Sequence, residues 1–301
     1  MLVGAELPAV VHHHGAMRLT LTRNAELFAA SAGAFLAEQP ERNVMATVLM
    51  QARDGRSTAG APLFAYGVDD DGGVCAAALR TPPWPLLACG FDTAGVAELL
   101  GNWLREDRDV PGVSGEPEVV RAIAGAWEHL TGGRSRLRMR QAMHMLTEVT
   151  GPPQPAQGHL RPARGSERDL LTAWERAFIL DAGNRVSDEA EQSVQTRLST
   201  GAQYVWENID PVSTLALSPM VSGTTRIGPV YTPPEHRRHG YASSAVADLS
   251  RHVLDSGANR VMLFTDLANP TSNKIYATVG FRRFSDWEEH TFERIDECRA
   301  Y

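Results

Sequence analysis

The sequence has little cysteine, no long apolar run and no excess of positive charge. Its three cysteines, Cys75, Cys89 and Cys298, form no CxxC pair and no metal-ligand spacing, which is typical of reduced thiols in a cytoplasmic protein. No apolar segment approaches the roughly 20 residues that span a bilayer. The formal net charge of −7 argues against general binding to nucleic acid or anionic membranes. We therefore expect a cytoplasmic protein without a metal, nucleic-acid or membrane partner.

The composition is that of an ordinary globular protein, with 43% hydrophobic and 22% charged residues in a chain of 301, which suits one large or two medium domains. Residues 151–158 contain three prolines and two glycines, which favours an extended, exposed linker. The predicted domains are therefore 17–150 and 159–301. Residues 1–16 carry a histidine triplet and no basic segment typical of a signal peptide, and they are excluded from the fold prediction.

Apolar periodicity and turn residues predict alternating helices and strands in both halves. Helices are expected over residues 23–39 with Asn24 as N-cap, 43–53, 93–105, 117–131, 167–182, 187–200 with Ser187 as N-cap, 241–256 and 270–280. Strands are expected over residues 62–67, 74–80, 86–89, 109–113, 136–149, 159–162, 203–207, 212–219, 224–231, 260–265, 281–285 and 289–294. This order indicates an α/β (α+β) protein in which a mixed central sheet is flanked by helices.

One stretch predicts an anion site. Residues 227–244 read IGPVYTPPEHRRHGYASS, a strand that turns at two prolines and enters a helix through an arginine-rich loop with a glycine. The first N–H groups of a helix have no partner inside it, and the helix dipole is positive there. Gly240 and Ala242 leave the backbone accessible, and Arg237 and Arg238 add charge suited to phosphate. We call residues 237–243 the cradle.

A second motif follows. Residues 269–281 read NPTSNKIYATVGF, in which Pro270 sets the first helical position and Gly280 suits a glycine at the helix end. Asn273 lies one turn before Tyr276, so both side chains face the same way.

The two motifs, at this separation and in this strand and helix order, closely resemble the GNAT superfamily of acyl-CoA-dependent N-acyltransferases over residues 159–294. The resemblance implies a GNAT fold and acetyl-CoA as acyl donor. Its pyrophosphate would lie on backbone N–H groups of the cradle, and its pantetheine arm would pair with the preceding strand like an added strand. The residues that the resemblance assigns to acetyl-CoA are Val230, Tyr231, Thr232, Arg237, Arg238, His239, Gly240, Tyr241, Ala242, Ser243, Asn269 and Asn273.

Each of these assignments has a structural alternative. Asn269 is also a plain helix N-cap, His239 is also an exposed loop residue, and the arginine pair is also a solvated basic loop. Tyr276 occupies the position that often acts as general acid, since a phenol can protonate the departing thiolate, but it is also a core aromatic at a helix end. These alternatives stay open at the level of sequence.

The expected general base is missing. Many relatives carry a glutamate on the strand before the cradle, whereas residues 224–232 contain no carboxylate. An ammonium group must lose a proton before it can attack a thioester, so Glu207, Asp266 and bulk water are the candidates for accepting it. Trp174, Phe178 and Trp206 either line the acceptor pocket or belong to the core.

The predicted function is transfer of the acetyl group of acetyl-CoA to a primary amine by direct attack in a ternary complex. The alternatives are a non-catalytic protein that binds acyl-CoA, and an acyltransferase that uses longer acyl-CoA on an amino acid. The expected partners are acetyl-CoA and an unidentified amine, and a homodimer is compatible with the sequence.

The first half has a similar element order, which predicts two tandem GNAT-like domains. We place its counterpart of the cradle at residues 112–118, which contain glycines and no arginine. Glu116 and Glu118 would repel a pyrophosphate at that helix N-terminus. The hypothesis is a degenerate GNAT-like domain without a CoA site.

Overall fold

The computed structural model describes residues 10–14, 17–55, 60–183 and 189–295, with the backbone alone at 10–14, Glu189 and 270–272. The helices in this part are α1 (Ala25–Glu38), α2 (Asn43–Arg53), α3 (Thr93–Glu106), α4 (Pro117–Thr131), α5 (Arg168–Asp181), α6 (Glu189–Ser199), α7 (Tyr241–Asp255) and α8 (Pro270–Val279). The strands are β1 (Val10–His14), β2 (Met17–Thr22), β3 (Leu63–Val68), β4 (Val74–Arg80), β5 (Leu86–Cys89), β6 (Gly112–Gly115), β7 (Arg134–Leu146), β8 (His159–Pro162), β9 (Gln203–Asn208), β10 (Asp210–Leu217), β11 (Thr224–Tyr231), β12 (Arg260–Asp266) and β13 (Arg282–Glu293). Within the described residues, no helix combines the length and hydropathy needed to cross a bilayer.

Local signals in the sequence set several helix ends. The Asn24 Oδ1 atom accepts hydrogen bonds from the N–H groups of Glu26, at 2.9 Å, and Leu27, at 3.0 Å, which confirms the predicted N-cap of α1. α8 begins at Pro270, as its fixed φ favours. It is followed by Gly280 with a φ of 114°. Glycine adopts this backbone conformation readily because it has no Cβ atom.

The described residues form two compact units. One comprises those up to Gln141 together with those from Asp286 onward, and the other comprises Ala142–Ser285. β7 therefore leaves the first unit at residue 141, and β13 enters it at residue 286. The bounds of the units differ in this respect from the predicted domains 17–150 and 159–301, because each of these strands contributes residues to both units.

In the first unit, β1 to β6 lie in chain order and β13 follows β6. Neighbouring strands are antiparallel except for the parallel pair of β5 and β6. β13 runs antiparallel to β6, with Thr291 opposite Gly112. The core includes Trp103 of α3 and Trp127 of α4, both fully enclosed. This unit is a mixed sheet flanked by helices.

In the second unit, β8, β9, β10 and β11 are antiparallel neighbours, and β12 lies parallel to β11. One face of this sheet is covered by α7 and α8, because Ile227 of β11 packs in one cluster with Leu249. The opposite face carries α5 and α6, where Leu171 packs with Val205 of β9. Trp206, next to Val205, belongs to the α7 cluster, as the alternation of side chains along a strand requires.

The two units repeat one element order, which reads β2-α1-α2-β3-β4-β5-α3-β6-α4-β7 and then β8-α5-α6-β9-β10-β11-α7-β12-α8-β13. In each, a helix joins the two strands of the parallel pair. The counterpart of the loop before α7 is therefore the loop before α3, residues 90–92. The prediction that placed it at residues 112–118 was wrong, because those residues include the second strand of the pair and the start of the helix after it.

Some element bounds differ from the predicted ones. The strands predicted at 281–285 and 289–294 form the single strand β13, because Trp287 between them is buried and its indole donates to the Ser114 Oγ atom at 2.5 Å. The strand predicted at 109–113 lies at Gly112–Gly115, where it pairs with β5. β1 lies within the excluded residues 1–16 and pairs with β2. The predicted N-cap Ser187 is outside the described residues.

Both cysteines in the described part are free thiols. Burial raises the pKa of Cys89 to about 12 and raises that of Cys75 as well. Neither thiol is therefore activated as a nucleophile. Cys298 lies outside the described residues.

The proline-rich segment 151–158 is hydrogen-bonded to other parts of the second unit at two points. The Ala156 N–H group donates to the Ser244 Oγ atom at 2.8 Å, and the Trp206 indole donates to the Gln157 carbonyl at 3.0 Å. Ser244 is buried in α7. The segment contains no helix or strand, and side chains on α7 and β9 tie it to the rest of the unit.

Replacing Ser244 with alanine should lower the free energy of unfolding by about 1–2 kcal/mol, because a partly buried N–H group loses its acceptor. Urea titration of the full chain measures this loss, and proteolysis within 151–158 should become faster. Ser256→Ala is the control, since its hydroxyl makes an exposed hydrogen bond to the His252 carbonyl. Equal stability of the two variants would show that the hydrogen bond from Ala156 to Ser244 does not stabilise the protein.

Candidate active site

The sheet of the second unit opens between its two parallel strands. The register of β11 with β12 runs from Thr224 opposite Arg260 to Arg226 opposite Met262. Within the described pairings it stops there, while β11 continues to pair with β10 as far as Tyr231. The edge of β11 beyond Arg226 therefore faces an opening, and its backbone groups are free to pair with a bound extended ligand.

The cradle follows at the wide end of this opening. A short 3₁₀ turn, Pro234–His236, leads to Arg238 with φ of 67° and to Gly240 with φ of 79°. Gly240 is the N-cap of α7 and contributes no side-chain cap. A Cβ atom at residue 240 would stand 3.7 Å from the Ala156 Cβ and 3.9 Å from the Ser243 Oγ atom, both ordinary van der Waals distances. The helix N-terminus is therefore open to an anion.

The side chain of Arg237 contacts residues of the protein around the cradle. Its Nε atom donates to the Thr232 carbonyl at 2.9 Å, and its guanidinium forms an ion pair with Asp181 at 2.6 Å. The guanidinium also lies 5.8 Å from the centre of the Tyr231 ring. These contacts join the end of β11, the cradle and the end of α5. The side chain of Arg237 thus shapes the loop, and the exposed Arg238 is better placed to offer a positive charge to a ligand.

The aromatic residues of the cradle stack on each other. The rings of His239 and Tyr241 are 5.5 Å apart and nearly parallel, and the Tyr241 hydroxyl accepts a hydrogen bond from Asn208 at 2.9 Å. Ala242 and Ser243 complete the first turn of α7, where the Ser243 hydroxyl donates to the Gly240 carbonyl at 2.8 Å. Val230 and Thr232 flank Tyr231 at the end of the open strand.

The second motif lies where β12 ends. The Asp266 carbonyl accepts from the N–H group of Asn269 at 3.0 Å and from the Asn273 side chain at 3.4 Å. The Oδ1 atom of Asn273 is enclosed and has no hydrogen-bond partner within the described residues. A buried carbonyl oxygen of this kind favours a ligand that donates a hydrogen bond, such as an amide N–H.

Tyr276 is buried on α8, 8% exposed, in the core cluster of the α7 face. Its ring meets that of Phe281 edge to face with centroids 6.1 Å apart. Burial raises the pKa of its phenol to about 12, so the hydroxyl stays protonated at neutral pH. Tyr276 is therefore a packed aromatic residue whose hydroxyl is neutral.

The two carboxylates predicted as candidate bases have other roles. Glu207 accepts from the Arg161 Nε atom at 2.6 Å, and this hydrogen bond lowers the pKa of Glu207, which makes it a weaker base. The Asp266 Oδ1 atom accepts from the Ala268 N–H group at 2.8 Å, within the turn after β12. Within the described residues, no cluster of three or more metal-ligating side chains is present.

Two ionisable residues near the opening escaped the sequence prediction. Arg226 lies where the pairing of β11 with β12 ends, and His144 of β7 is buried with its Nδ1 atom 3.4 Å from the Thr265 Oγ1 atom. Desolvation lowers the pKa of His144. The position of Arg226 in the open strand was visible in the sequence, but the sequence did not show that its Nη1 atom has no hydrogen-bond partner among the described residues. Nothing in the local sequence links His144 to Thr265.

The corresponding loop of the first unit carries an acid. The Asp92 Oδ1 atom accepts from the Gly95 N–H group at 2.7 Å and caps α3. This carboxylate occupies the helix N-terminus that the second unit leaves open, and it would repel a pyrophosphate. The sequence predicted that Glu116 and Glu118 would repel a pyrophosphate at this site. In the structure Asp92 has that position.

Comparison with known proteins places these features in a family context. Residues 213–291 match the model of a family described as FR47-like protein, and no curated protein matches the chain. A GCN5-related N-acetyltransferase from Sphaerobacter thermophilus matches with a TM-score of 0.59 and 15% identity over 93% of this chain and 96% of that one. A GNAT-family acetyltransferase from Colwellia psychrerythraea matches at 0.51 and 12%, over 81% and 89%, and a GCN5-related N-acetyltransferase from Kribbella flavida at 0.53 and 18%, over 72% and 86%.

The chain thus has the fold of GNAT proteins, and the predicted resemblance to this superfamily is confirmed. The Sphaerobacter match covers most of the chain, so it includes both units. The FR47-like region contains the open strand β11, the cradle, α7, β12 and α8.

Proposed function

We propose that the second unit, Ala142–Ser285, is an N-acetyltransferase that transfers the acetyl group of acetyl-CoA to a primary amine. The observation that carries this proposal is the opening between β11 and β12, which ends at a helix N-terminus without a side-chain cap. An extended ligand with a pyrophosphate at one end fits this arrangement. Tyr276 supplies a neutral hydroxyl on the helix that follows β12.

The residues present fit acetyl-CoA. The first N–H groups of α7, at Tyr241, Ala242 and Ser243, would hold the pyrophosphate, because Gly240 has no side chain to compete for them. Arg238 would add charge. The edge of β11 would pair with the amides of the pantetheine arm. The enclosed Asn273 Oδ1 atom would accept from an N–H group of the donor.

The reaction needs one bond formed and one broken. The amine nitrogen attacks the thioester carbonyl carbon, the C–S bond breaks, and the sulfur leaves with the electron pair. The Tyr276 hydroxyl donates its proton to the departing thiolate and regains one from solvent. The amine loses its extra protons to water, since the ion-paired Glu207 is a weak base. Transfer occurs directly in a ternary complex, because neither described cysteine is an activated thiol.

The first unit would carry no CoA, because Asp92 already caps the helix N-terminus that corresponds to the cradle. The free thiols Cys75 and Cys89 fit the proposed location in the cytoplasm.

The test is a screen of primary amines with the purified full chain and acetyl-CoA, read as free thiol released above an amine-free blank. We expect release with at least one class of amine. The same screen with propionyl-, butyryl- and benzoyl-CoA decides between the acetyltransferase and the enzyme for longer acyl groups. Binding of acetyl-CoA in calorimetry without thiol release from any amine would overturn the proposal in favour of a non-catalytic binding protein.

A further inference from the structure

Arg226 carries a positive charge for which the described part of the chain shows no ion pair. The residue is half-buried, and its Nη1 atom is out of contact with solvent and has no hydrogen-bond partner within the described residues. Burial is the cause that lowers the pKa of its guanidinium, to about 10, and no carboxylate offsets it. At neutral pH the group still carries its charge, so the fold bears the cost of a desolvated cation.

Both backbone polar groups of Arg226 form hydrogen bonds, so only its side chain lacks a partner among the described residues. Its N–H group donates to the Ser218 Oγ atom at 2.9 Å, and its carbonyl accepts from the Ser218 N–H group at 2.8 Å. These bonds would form with any residue at this position. The guanidinium therefore adds nothing to the strand that a neutral side chain would not.

The side chain lies on the face of the sheet opposite α7. Ile227, the next residue, packs in the α7 cluster, so Arg226 points to the other face. Its register partner Met262 is fully buried and lies outside the α7 cluster, whereas Val261 and Leu263 belong to it. α5 packs against β11 on this opposite face.

The acids of α5 are engaged elsewhere. Glu175 pairs with Arg197 at 2.7 Å, and Asp181 pairs with Arg237 at 2.6 Å. Asp169 lies at the far exposed surface, 3.5 Å from Arg168. Each acid of α5 thus has a partner other than Arg226 among the described residues, and an anion from outside the chain could pair with the guanidinium.

The place of Arg226 along β11 separates it from the cradle. Tyr231 is five residue positions after Arg226 along the strand, or about 16 Å at the rise of an extended chain. The cradle lies at the wide end of the opening, and Arg226 lies at its closed end, where the pairing with β12 stops. A ligand whose pyrophosphate lies on the cradle would bring its acyl end towards Arg226, not its phosphates.

We propose that Arg226 binds the carboxylate of the acceptor, so that the enzyme acetylates amines of the amino-acid type. This inference rests on the proposed acetyltransfer. A guanidinium donates two parallel hydrogen bonds to a carboxylate, which fixes the orientation of the amine as well as its affinity. The carboxylate also compensates a charge that the fold leaves unpaired. Arg226 is a binding residue for the acceptor, and it takes no part in proton transfer.

The experiment compares each amino acid with its amide, for example glycine with glycinamide and phenylalanine with phenylalaninamide. Acetylation is followed as thiol release from acetyl-CoA by the full chain, at matched concentrations of free amine. We expect kcat/KM to be about 10- to 100-fold higher for the acids. Arg226→Met should remove this preference through KM, so that kcat/KM for each acid falls to the value for its amide. Arg226→Lys should restore part of it, and Arg251→Met, at an exposed ion pair on α7, is the control.

A stability readout separates this role from a structural one. Removal of an unpaired buried charge is expected to raise the Tm of Arg226→Met by about 2–4 °C, whereas loss of a structural contact would lower it. A fall in Tm together with equal losses for acids and amides would overturn the inference.

A binding measurement decides the inference independently of turnover. N-acetylglycine and N-acetylphenylalanine, as product probes, should raise the Tm of the wild type more than the corresponding N-acetyl amides, and this difference should vanish in Arg226→Met. Equal effects of acids and amides would overturn the role of Arg226 even if acetylation is found. Thiol release from neither class, with acetyl-CoA bound, would instead remove the proposed acetyltransfer.

Discussion

Replacement of Tyr276 with phenylalanine is expected to lower kcat about 100-fold, the usual scale for loss of a general acid, and to change the Kd of acetyl-CoA less than about threefold. The substitution removes one oxygen and keeps the ring against Phe281. In the proposed reaction the phenol donates a proton to the departing thiolate, so its loss should act on the chemical step. Single-turnover kinetics, which separate binding from chemistry, measure both quantities.

The pH profile supplies a second readout for Tyr276. Its raised pKa, about 12, means that the donor form is present below that pH and is lost only above it. The acceptor amine has the opposite effect on the pH profile: the rate rises with pH because the amine attacks only when deprotonated. In the wild type kcat should therefore rise with pH and show no alkaline fall up to pH 10. A fall in kcat between pH 8 and pH 10 would contradict a proton donor with this pKa.

Tyr204→Phe is the matched control, since Tyr204 lies on β9 of the same unit and packs beside His252. It should leave kcat unchanged within about twofold, the spread expected of a substitution away from the chemistry. If Tyr276→Phe behaved like this control, Tyr276 would be a core aromatic and the thiolate would receive its proton from solvent.

Replacement of Gly240 with aspartate is expected to raise the Kd of acetyl-CoA at least about 20-fold. A carboxylate there would cap α7 and face the pyrophosphate. Two like charges about 5 Å apart at an effective dielectric of about 40 repel by about 1.7 kcal/mol. The first unit already shows this arrangement, because Asp92 caps α3. The effect should weaken as salt concentration rises, since Gly240 is exposed.

Gly240→Asn is the matched control, because asparagine has nearly the same shape and also tolerates the φ of 79°. The aspartate variant should bind acetyl-CoA more weakly than the asparagine variant. With acetyl-pantetheine, which lacks the pyrophosphate, the two variants should give the same kcat/KM. Equal Kd values of the two variants for acetyl-CoA would show that the pyrophosphate does not lie at this helix N-terminus.

The elements of this chain and the candidate site were readable where the signals are local. Asn24 and Pro270 set helix starts, and apolar periodicity predicted α7. The cradle was recognisable because the glycine and arginines that an anion site needs are contiguous in sequence. The resemblance to GNAT proteins was readable for the same reason, since both motifs are short and lie at a set separation.

The pairing of distant segments was not readable. β13 pairs with β6, whose partner residues stand more than 170 positions earlier, and β7 leaves the first unit to end in the second. Strand pairing of this kind depends on which edges are free after the rest of the sheet has formed. For the same reason the counterpart of the cradle was placed at Glu116 instead of Asp92.

By itself the sequence determined the kind of fold, the position of the cradle and the identity of Tyr276 as the candidate acid, because each rests on neighbouring residues. Only the tertiary structure decided that β11 and β12 separate after Arg226, that Glu207 is held by Arg161, and that the Arg226 Nη1 atom is enclosed with no hydrogen-bond partner among the described residues. The charge state and availability of a side chain depend on desolvation and on partners brought together from elsewhere in the chain. A list of residue types does not contain that information.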